Sequence, residues 1–420
     1  MNNQNITLKQ SAKGQSLGLY IHIPFCIKKC DYCDFLSAPA NEDRIQDYFN
    51  GMLAEIEQYQ GKTGEYIVDT IFIGGGTPSY VDSIYIEKIM KAVRKVFVLD
   101  NEDLEVTIEI NPGTVTREKL EAYKRNGINR LSFGLQSVNN EELSLLGRVH
   151  TYEEFEENYY LARDLGFNNI NIDLMSALPG QTLKSWENTL NKVIGLKPEH
   201  ISAYSLIIEE GTKFYERYRE GAEQYFLLPG EETDRLMYHR TKEILCDNGY
   251  RRYEISNYAR DRFQCKHNIR YWIGSDYLGM GVGAASLLDR ARFLNLHDVA
   301  RYISRCNEYQ ILHDNKTNSD KCFLLSPGKM ENFIDIRMDF EKLSSKQQME
   351  EFMFLGLRIS DGISKRAFFH KFQKEVDDIY GDILRKLEGN NLLEIGEDNI
   401  RLTDYGMDVS NYVFSQLLLD

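Results

Sequence analysis

The sequence predicts an α/β fold, and three observations carry it. Short apolar runs alternate six times with amphipathic helical stretches across residues 17–208. Glycines and polar residues gather where several of those runs end, and a hairpin signal lies among helical patterns near the C-terminus. Strand–helix alternation implies parallel pairing with helical crossovers, in an open sheet or a barrel-like one.

Residues 17–24 read as the first strand, and a helix over 42–59 follows a cysteine-bearing loop. Residues 70–73 form the second strand, running into Gly74-Gly75-Gly76-Thr77-Pro78, then a helix over 84–96. A strand over 106–110 leads to a helix over 116–126 that Thr116 caps. Strands over 130–135, 169–174 and 200–208 alternate with helices over 152–165 and 183–194. After about residue 210 the character changes. A helix over 231–248 precedes the aromatic-rich stretch 250–272. The Gly/Ala-rich 277–288 reads as one strand whose small residues allow close backbone approach. Residues 310–338 are the least readable. Helical patterns over 346–359, 364–370 and 376–388 precede a hairpin over 392–402, turning at Gly396-Glu397-Asp398-Asn399, and a helix over 404–418 ends the chain. The division is a polar tail (1–16), a core (17–245), an intermediate α+β segment (246–340) and a winged-helix-like C-terminal domain (341–420).

Charge narrows the function. Lys+Arg 50 against Asp+Glu 64 leaves −14, which argues against general nucleic-acid binding because the phosphate backbone rewards cations. The C-terminal 80 residues carry 10 basic and 15 acidic side chains, so a lid or docking module fits them better than a DNA-reading wing. No apolar run is long enough to span a membrane, and the polar N-terminus has no signal-like centre. A cytoplasmic location is expected.

Seven cysteines are unevenly placed. Cys26, Cys30 and Cys33 lie within eight residues, whereas Cys246, Cys265, Cys306 and Cys322 are scattered and read as packing residues. Three thiolates on one short loop can ligate three irons of a 4Fe–4S cluster and leave the fourth iron open. A structural zinc site needs four ligands, and Asp34 and Phe35 follow where a further Cys or His would be expected.

The spacing Cys26-x3-Cys30-x2-Cys33 after a strand resembles the radical S-adenosylmethionine (SAM) superfamily. The resemblance implies a partial (β/α)6 barrel over the core. It also implies a 4Fe–4S cluster whose open iron chelates the methionine end of SAM, with an electron donor whose electron breaks the C5′–S bond. The Gly74–Pro78 run resembles the element that receives the methionine amino group. Polar residues at strand ends of a β/α barrel lie on its ligand-binding face. By resemblance to the oxygen-independent coproporphyrinogen oxidase branch, Tyr20, Gly75, Gly76, Thr77, Glu109, Gln136, Arg148 and Asp173 contact SAM, and His22 lines the same pocket.

Two members of that branch differ in local pattern. The coproporphyrinogen III dehydrogenases continue the motif as CxxxCxxCxC, whereas this chain has Phe35. The haem-chaperone (HemW-type) pattern has phenylalanine there and adds HNxxYW, matched by His267-Asn268-Ile269-Arg270-Tyr271-Trp272. Together with Leu178–Thr182 and Leu402–Gly406, the resemblance runs from about residue 17 to the C-terminus. It implies a protein that binds haem and passes it to an acceptor protein. His267 is either a haem-iron ligand flanked by Tyr271 and Trp272 or a packed histidine bonded within the protein; Cys265 is a weaker ligand candidate. The alternatives are oxidative decarboxylation of coproporphyrinogen III, or another radical SAM reaction such as methyl transfer or haem breakdown.

Overall fold

The computed structural model describes residues 14–313 and 336–419; Cys322 and most of the stretch 310–338 lie outside the described residues. Six parallel strands stand side by side in chain order: β1 (Gln15–Ile23), β2 (Tyr66–Gly75), β3 (Glu105–Ile110), β4 (Arg130–Gln136), β5 (Ile170–Ser176) and β6 (His200–Ser205). Between them run α1 (Glu42–Glu57), α2 (Ser83–Val96), α3 (Arg117–Arg125), the pair α4 (Asn140–Leu145) and α5 (Tyr152–Asp164), and α6 (Leu183–Leu196). β1 and β6 do not pair with each other, so the six-fold repeat is an open (β/α)6 sheet, the partial barrel that the resemblance implies.

One parity of each strand is apolar and fully buried: Leu19 and Ile21, Ile71 and Ile73, Val106 and Ile108, Leu131 and Phe133, Ile170 and Ile172. These side chains share one core with Phe49, Ile89, Leu120, Phe155 and Leu190 of the helices. Each such burial contributes roughly 1.5–3 kcal/mol. On β1 and β3 to β6 the other parity is polar: Tyr20 and His22, Thr107 and Glu109, Arg130 and Ser132, Asn171 and Asp173, Ser202 and Tyr204. A parallel sheet covered on both faces ordinarily reads as continuous apolar runs. The period-2 alternation therefore marks the inner face as the wall of a polar chamber. Thr116 caps α3 as expected, accepting from the Lys119 N–H at 3.4 Å.

Beyond β6, α7 (Lys213–Tyr218) and α8 (Glu231–Asp247) lead to β7 (Arg251–Arg252) and β8 (Asn257–Ala259); β8 pairs antiparallel with β6, and β7 antiparallel with β8 at the sheet edge. α9 (Lys266–Trp272) carries the HNxxYW residues. The other edge is extended by β9 (Tyr277–Met280), β10 (Ala285–Leu288), β11 (Ala291–Asn295) and, after α10 (Val299–His313), β12 (Arg337–Lys342). The expected single strand over 277–288 is thus two. β9 runs parallel to β1, and the chain reverses through Gly281-Val282-Gly283 into antiparallel β10. Gly281 and Gly283 take φ of +96° and +67°, and a Cβ on Gly281 would meet the Tyr48 hydroxyl at 2.6 Å.

The C-terminal domain comprises α11 (Ser345–Gly356), β13 (Ile363–Ser364), α12 (Lys365–Phe372), α13 (Val376–Gly389), β14 (Leu393–Ile395) and β15 (Asn399–Leu402). Its three strands form a separate sheet in the order β13-β15-β14, a winged-helix-like arrangement around its own core of Met353, Phe368, Leu384 and Ile400. The expected single terminal helix breaks at Val409, which leaves helical geometry (φ −115°, ψ 31°), into α14 (Asp404–Asp408) and α15 (Ser410–Ser415). Among the described residues no helix is long and apolar enough to cross a membrane.

Candidate cofactor site

The cysteine loop follows β1 at the C-terminal edge of the parallel strands, where β/α folds place their ligands. It is held from two sides. The Asp31 N–H donates to the Leu146 carbonyl, and the Asp31 carbonyl accepts from the Phe214 N–H. The Asp31 carboxylate pairs with Lys213 at 2.9 Å and Arg217 at 3.2 Å, both on α7. A loop so fixed presents its thiols in one arrangement rather than many.

All six described cysteines are free thiols. Thr77 Oγ1 donates to Cys26 Sγ at 3.4 Å, and Arg148 Nη1 to Cys30 Sγ at 3.6 Å. Burial, with Cys30 close by, pushes the Cys33 thiol up to about 11; burial raises Cys26 as well. Metal ligation removes that penalty by replacing the protons. Among the described residues no three His, Cys, Asp or Glu side chains converge on a point where one ion could sit. A 4Fe–4S cluster does not ask for that, because each thiolate meets its own iron. A three-thiol loop with two polar hydrogens aimed at sulfur fits such a cluster. Elsewhere, Cys265 and Cys306 are buried as expected of packing residues, but Cys246 is exposed on α8.

Beside the loop, the end of β2 forms a cradle that tolerates no side chain. Gly75 has φ +113°, and a Cβ there would lie 2.5 Å from the His22 ring. A Cβ on Gly76 would lie 2.9 Å from the Phe25 carbonyl oxygen. The Gly75 N–H donates to Glu109 Oε2 at 3.0 Å. Glu109 is pushed up to about 8, first by burial and then by the charge of Asp173. Burial raises Asp173 as well, against hydrogen bonds that include the Asn171 amide at 2.8 Å. Gln136, at φ +72°, accepts from the Tyr204 hydroxyl at 2.9 Å. Arg148 is anchored to Asn111 Oδ1 at 2.7 Å and to the Gly134 carbonyl. Tyr20 and His22 are linked at 3.1 Å, with the His22 Nε2 on the Leu36 carbonyl. The cysteines, Tyr20, Gly75, Gly76, Thr77, Glu109, Gln136, Arg148 and Asp173 therefore share one end of the sheet. A buried carboxylate can accept from the N–H of an amino group, and hydroxyl-rich ligands suit Asp173 and Gln136.

His267 lies at the other end. α9 crosses the start of the strands: Glu105, the first residue of β3, accepts from the Lys266 and His267 N–H groups, and Arg270 pairs with Asp69 and bonds Ser16. The His267 ring is 1% exposed, with Nδ1 on Thr70 Oγ1 and Nε2 on the Tyr271 hydroxyl, each at 2.9 Å. Burial, then Arg270, lowers its pKa to about 3, so it is neutral. Neither nitrogen faces open space, which is the packed arrangement of the two read from the sequence. Trp272 stacks under the Arg358 guanidinium at 4.4 Å, which docks the C-terminal domain on α9. Cys265 sits at the same end, against Glu105.

The family model of the Radical SAM superfamily matches residues 20–193, and that of the HemN C-terminal domain residues 343–409. Proteins described as heme chaperone HemW are similar over nearly the whole chain. The one from Bacillus subtilis is 34% identical, covering 95% of this chain and 98% of its own; the one from Lactococcus lactis is 35% identical, covering 96% and 97%. The chain belongs to the HemW family of radical SAM proteins. That membership brings a 4Fe–4S cluster and SAM as its cofactors. Coproporphyrinogen III oxidase (HemN) from Escherichia coli has the same fold, with a TM-score of 0.79 at 23% identity over 97% of this chain and 91% of that one.

Several residues at this site escape motif reading. Asn111 orients Arg148, Tyr204 holds Gln136, and Asn171 joins Ser132, Asp173 and His200. Their signal was the polar parity of each strand.

Proposed function

We propose that the chain binds haem and passes it to an acceptor protein, with Cys26, Cys30 and Cys33 holding the cluster and the Gly75–Asp173 face holding SAM. The observation that carries this reading is end-to-end similarity to proteins described as heme chaperones, set beside a cysteine loop and glycine cradle at one strand edge. With both groups bound, the cluster supplies one electron at the sulfonium. The chain's own work is positional. Thr77 and Arg148 donate toward Cys26 and Cys30 and so favour thiolates; Glu109 offers an acceptor to an N–H of the methionine amino group; Gln136 and Asp173 offer acceptors to the ribose. Free thiols of this kind call for a reducing compartment, in keeping with a cytoplasmic location.

Protonation of Glu109 gives this mapping a direct readout. Its folded-state value, about 8, lies above the unfolded ~4.3, so its contribution to stability is full below about pH 4 and is lost as pH rises to about 8. An amine N–H donating to it favours the ionised carboxylate and lowers that value. SAM binding at neutral pH is therefore expected to release a proton from Glu109 that Glu109→Gln does not release, read from calorimetric enthalpies in buffers of different ionisation enthalpy. Equal proton release by the parent and Glu109→Gln would remove Glu109 from the amino-group site.

Haem binding is tested by anaerobic titration of the reconstituted protein, with about one haem per chain expected. Because both His267 nitrogens are occupied inside the protein, His267→Ala is expected to lower the melting temperature and leave the Soret band in place. The Thr70 hydroxyl, which keeps Arg270 Nε, and the part-buried Tyr271 hydroxyl each lose a partner, at a cost of about 1 kcal/mol apiece. A shifted Soret band would show instead that the ring leaves Thr70 and Tyr271 to ligate iron.

A further inference from the structure

Arg148 turns one edge of its guanidinium to the cysteine loop. Nη1 donates to Cys30 Sγ at 3.6 Å, while Nη2 donates to Asn111 Oδ1 at 2.7 Å and to the Gly134 carbonyl. Nε is buried without a partner, so the Nη2 bonds fix how the head group lies. Of their two acceptors, only Asn111 is a side chain.

Asn111 is itself held. Its N–H donates to Ser79 Oγ at 3.1 Å, its carbonyl accepts from Thr114 Oγ1 at 2.6 Å, and His150 Nδ1 shares Oδ1 at 3.1 Å. A guanidinium only donates, so the Asn111 oxygen faces Arg148. Burial, then the charge of Arg148, lowers His150 to about 3, so the ring is neutral and its proton sits on Nδ1. Lys119 Nζ donates to the carbonyls of Ser79 at 2.8 Å, Tyr80 at 3.2 Å and Thr114 at 3.1 Å. These bonds tie the turn after β3 to the loop that leaves the glycine cradle. The array is rigid, and it ends on a ligand sulfur.

We propose that Asn111 is a positioning residue for electron entry: by fixing the Arg148 guanidinium on the Cys30 sulfur, it raises the reduction potential of the cluster. The proposal rests on the cluster assignment made above. The step is the passage of one electron from a one-electron reductant, which is oxidised, to the cluster, which is reduced; no bond forms or breaks. Reduction adds negative charge, so a cation and hydrogen-bond donor held at a ligand sulfur favours the reduced state. Thr77 donates to the Cys26 sulfur at 3.4 Å, but a hydroxyl carries no net charge, so the larger share falls to Arg148. Released from Asn111, the guanidinium can leave the sulfur for water, where its charge is screened.

The test is a mediated redox titration of the reconstituted full chain without SAM, followed by the electron paramagnetic resonance signal of the reduced cluster. Asn111→Ala is expected to lower the midpoint, so that the reduced-to-oxidised ratio at a fixed potential falls about tenfold, or about 59 mV for a one-electron couple. Asn111→Ser, too short to reach Arg148, should match it, and Arg148→Gln should lower the midpoint at least as far. Adding Asn111→Ala to Arg148→Gln should then change nothing further, because Asn111 acts through the guanidinium. Iron content is expected to stay at the parent's value in all of them. An unchanged midpoint in Asn111→Ala, or an equal fall in the Arg148→Gln background, would overturn the assignment. Loss of the cluster in both Asn111 variants would overturn it too, by making the residue structural. A parent chain that assembles no cluster would overturn it together with the reading of Cys26, Cys30 and Cys33, and iron analysis of the parent tells that failure from the others.

Discussion

Alanine at Cys26, Cys30 or Cys33 is expected to yield a folded protein that, after anaerobic reconstitution, lacks the broad visible absorbance of an iron–sulfur cluster. Two thiolates cannot retain a cluster that takes three. The fold should survive, because the loop is held by Asp31, through Leu146, Phe214, Lys213 and Arg217, rather than by the thiols. Cys246→Ala, on the exposed face of α8, should reconstitute as the parent does. A triad variant that still holds about four irons would place the cluster elsewhere.

Gly75→Ala is expected to have the second large effect. The residue sits at φ +113°, a region L side chains rarely adopt, and the new methyl would press on the His22 ring at 2.5 Å. Backbone strain alone costs of order 1–3 kcal/mol. Relief by moving His22 breaks its bonds to Tyr20 and to the Leu36 carbonyl; relief by moving the strand end breaks the Gly75–Glu109 bond. Either shift disturbs the proposed SAM cradle, so affinity should fall on the order of a hundredfold, equal to about 2.7 kcal/mol. The cysteines lie on a different loop, so iron content should be retained. SAM affinity within twofold of the parent would mean that the cradle is not where SAM binds.

How far the sequence reached differs from element to element, for physical reasons. The six parallel strands were legible because residues such as Ile71, Ile108 and Ile172 repeat an apolar parity that only a covered sheet demands. The cysteine loop was legible because ligand spacing is local. Residues 277–288 were not, since the Gly281-Val282-Gly283 reversal depends on positive φ, and glycine carries no side-chain pattern to announce it. The Asp31 clasp was out of reach for another reason: Lys213 lies 182 residues away along the chain. His267 shows the difference between residue type and residue place. The motif identified an imidazole beside aromatics, but only the bonds to Thr70 and Tyr271 show that α9 closes the end of the sheet opposite the cysteines. Phe35 was read as the departure from the CxxxCxxCxC pattern; that its side chain turns outward into solvent was not legible from the motif.

The proposed function puts a fold shared with a coproporphyrinogen III oxidase to haem delivery. One anaerobic incubation tests it most directly: reconstituted protein with SAM, a strong reductant and coproporphyrinogen III, the products analysed after full reduction of the cluster. Haem delivery predicts unchanged coproporphyrinogen III, with haem bound when it is supplied in place of the porphyrinogen. Protoporphyrinogen formed over several turnovers would contradict it and make the chain a decarboxylating enzyme.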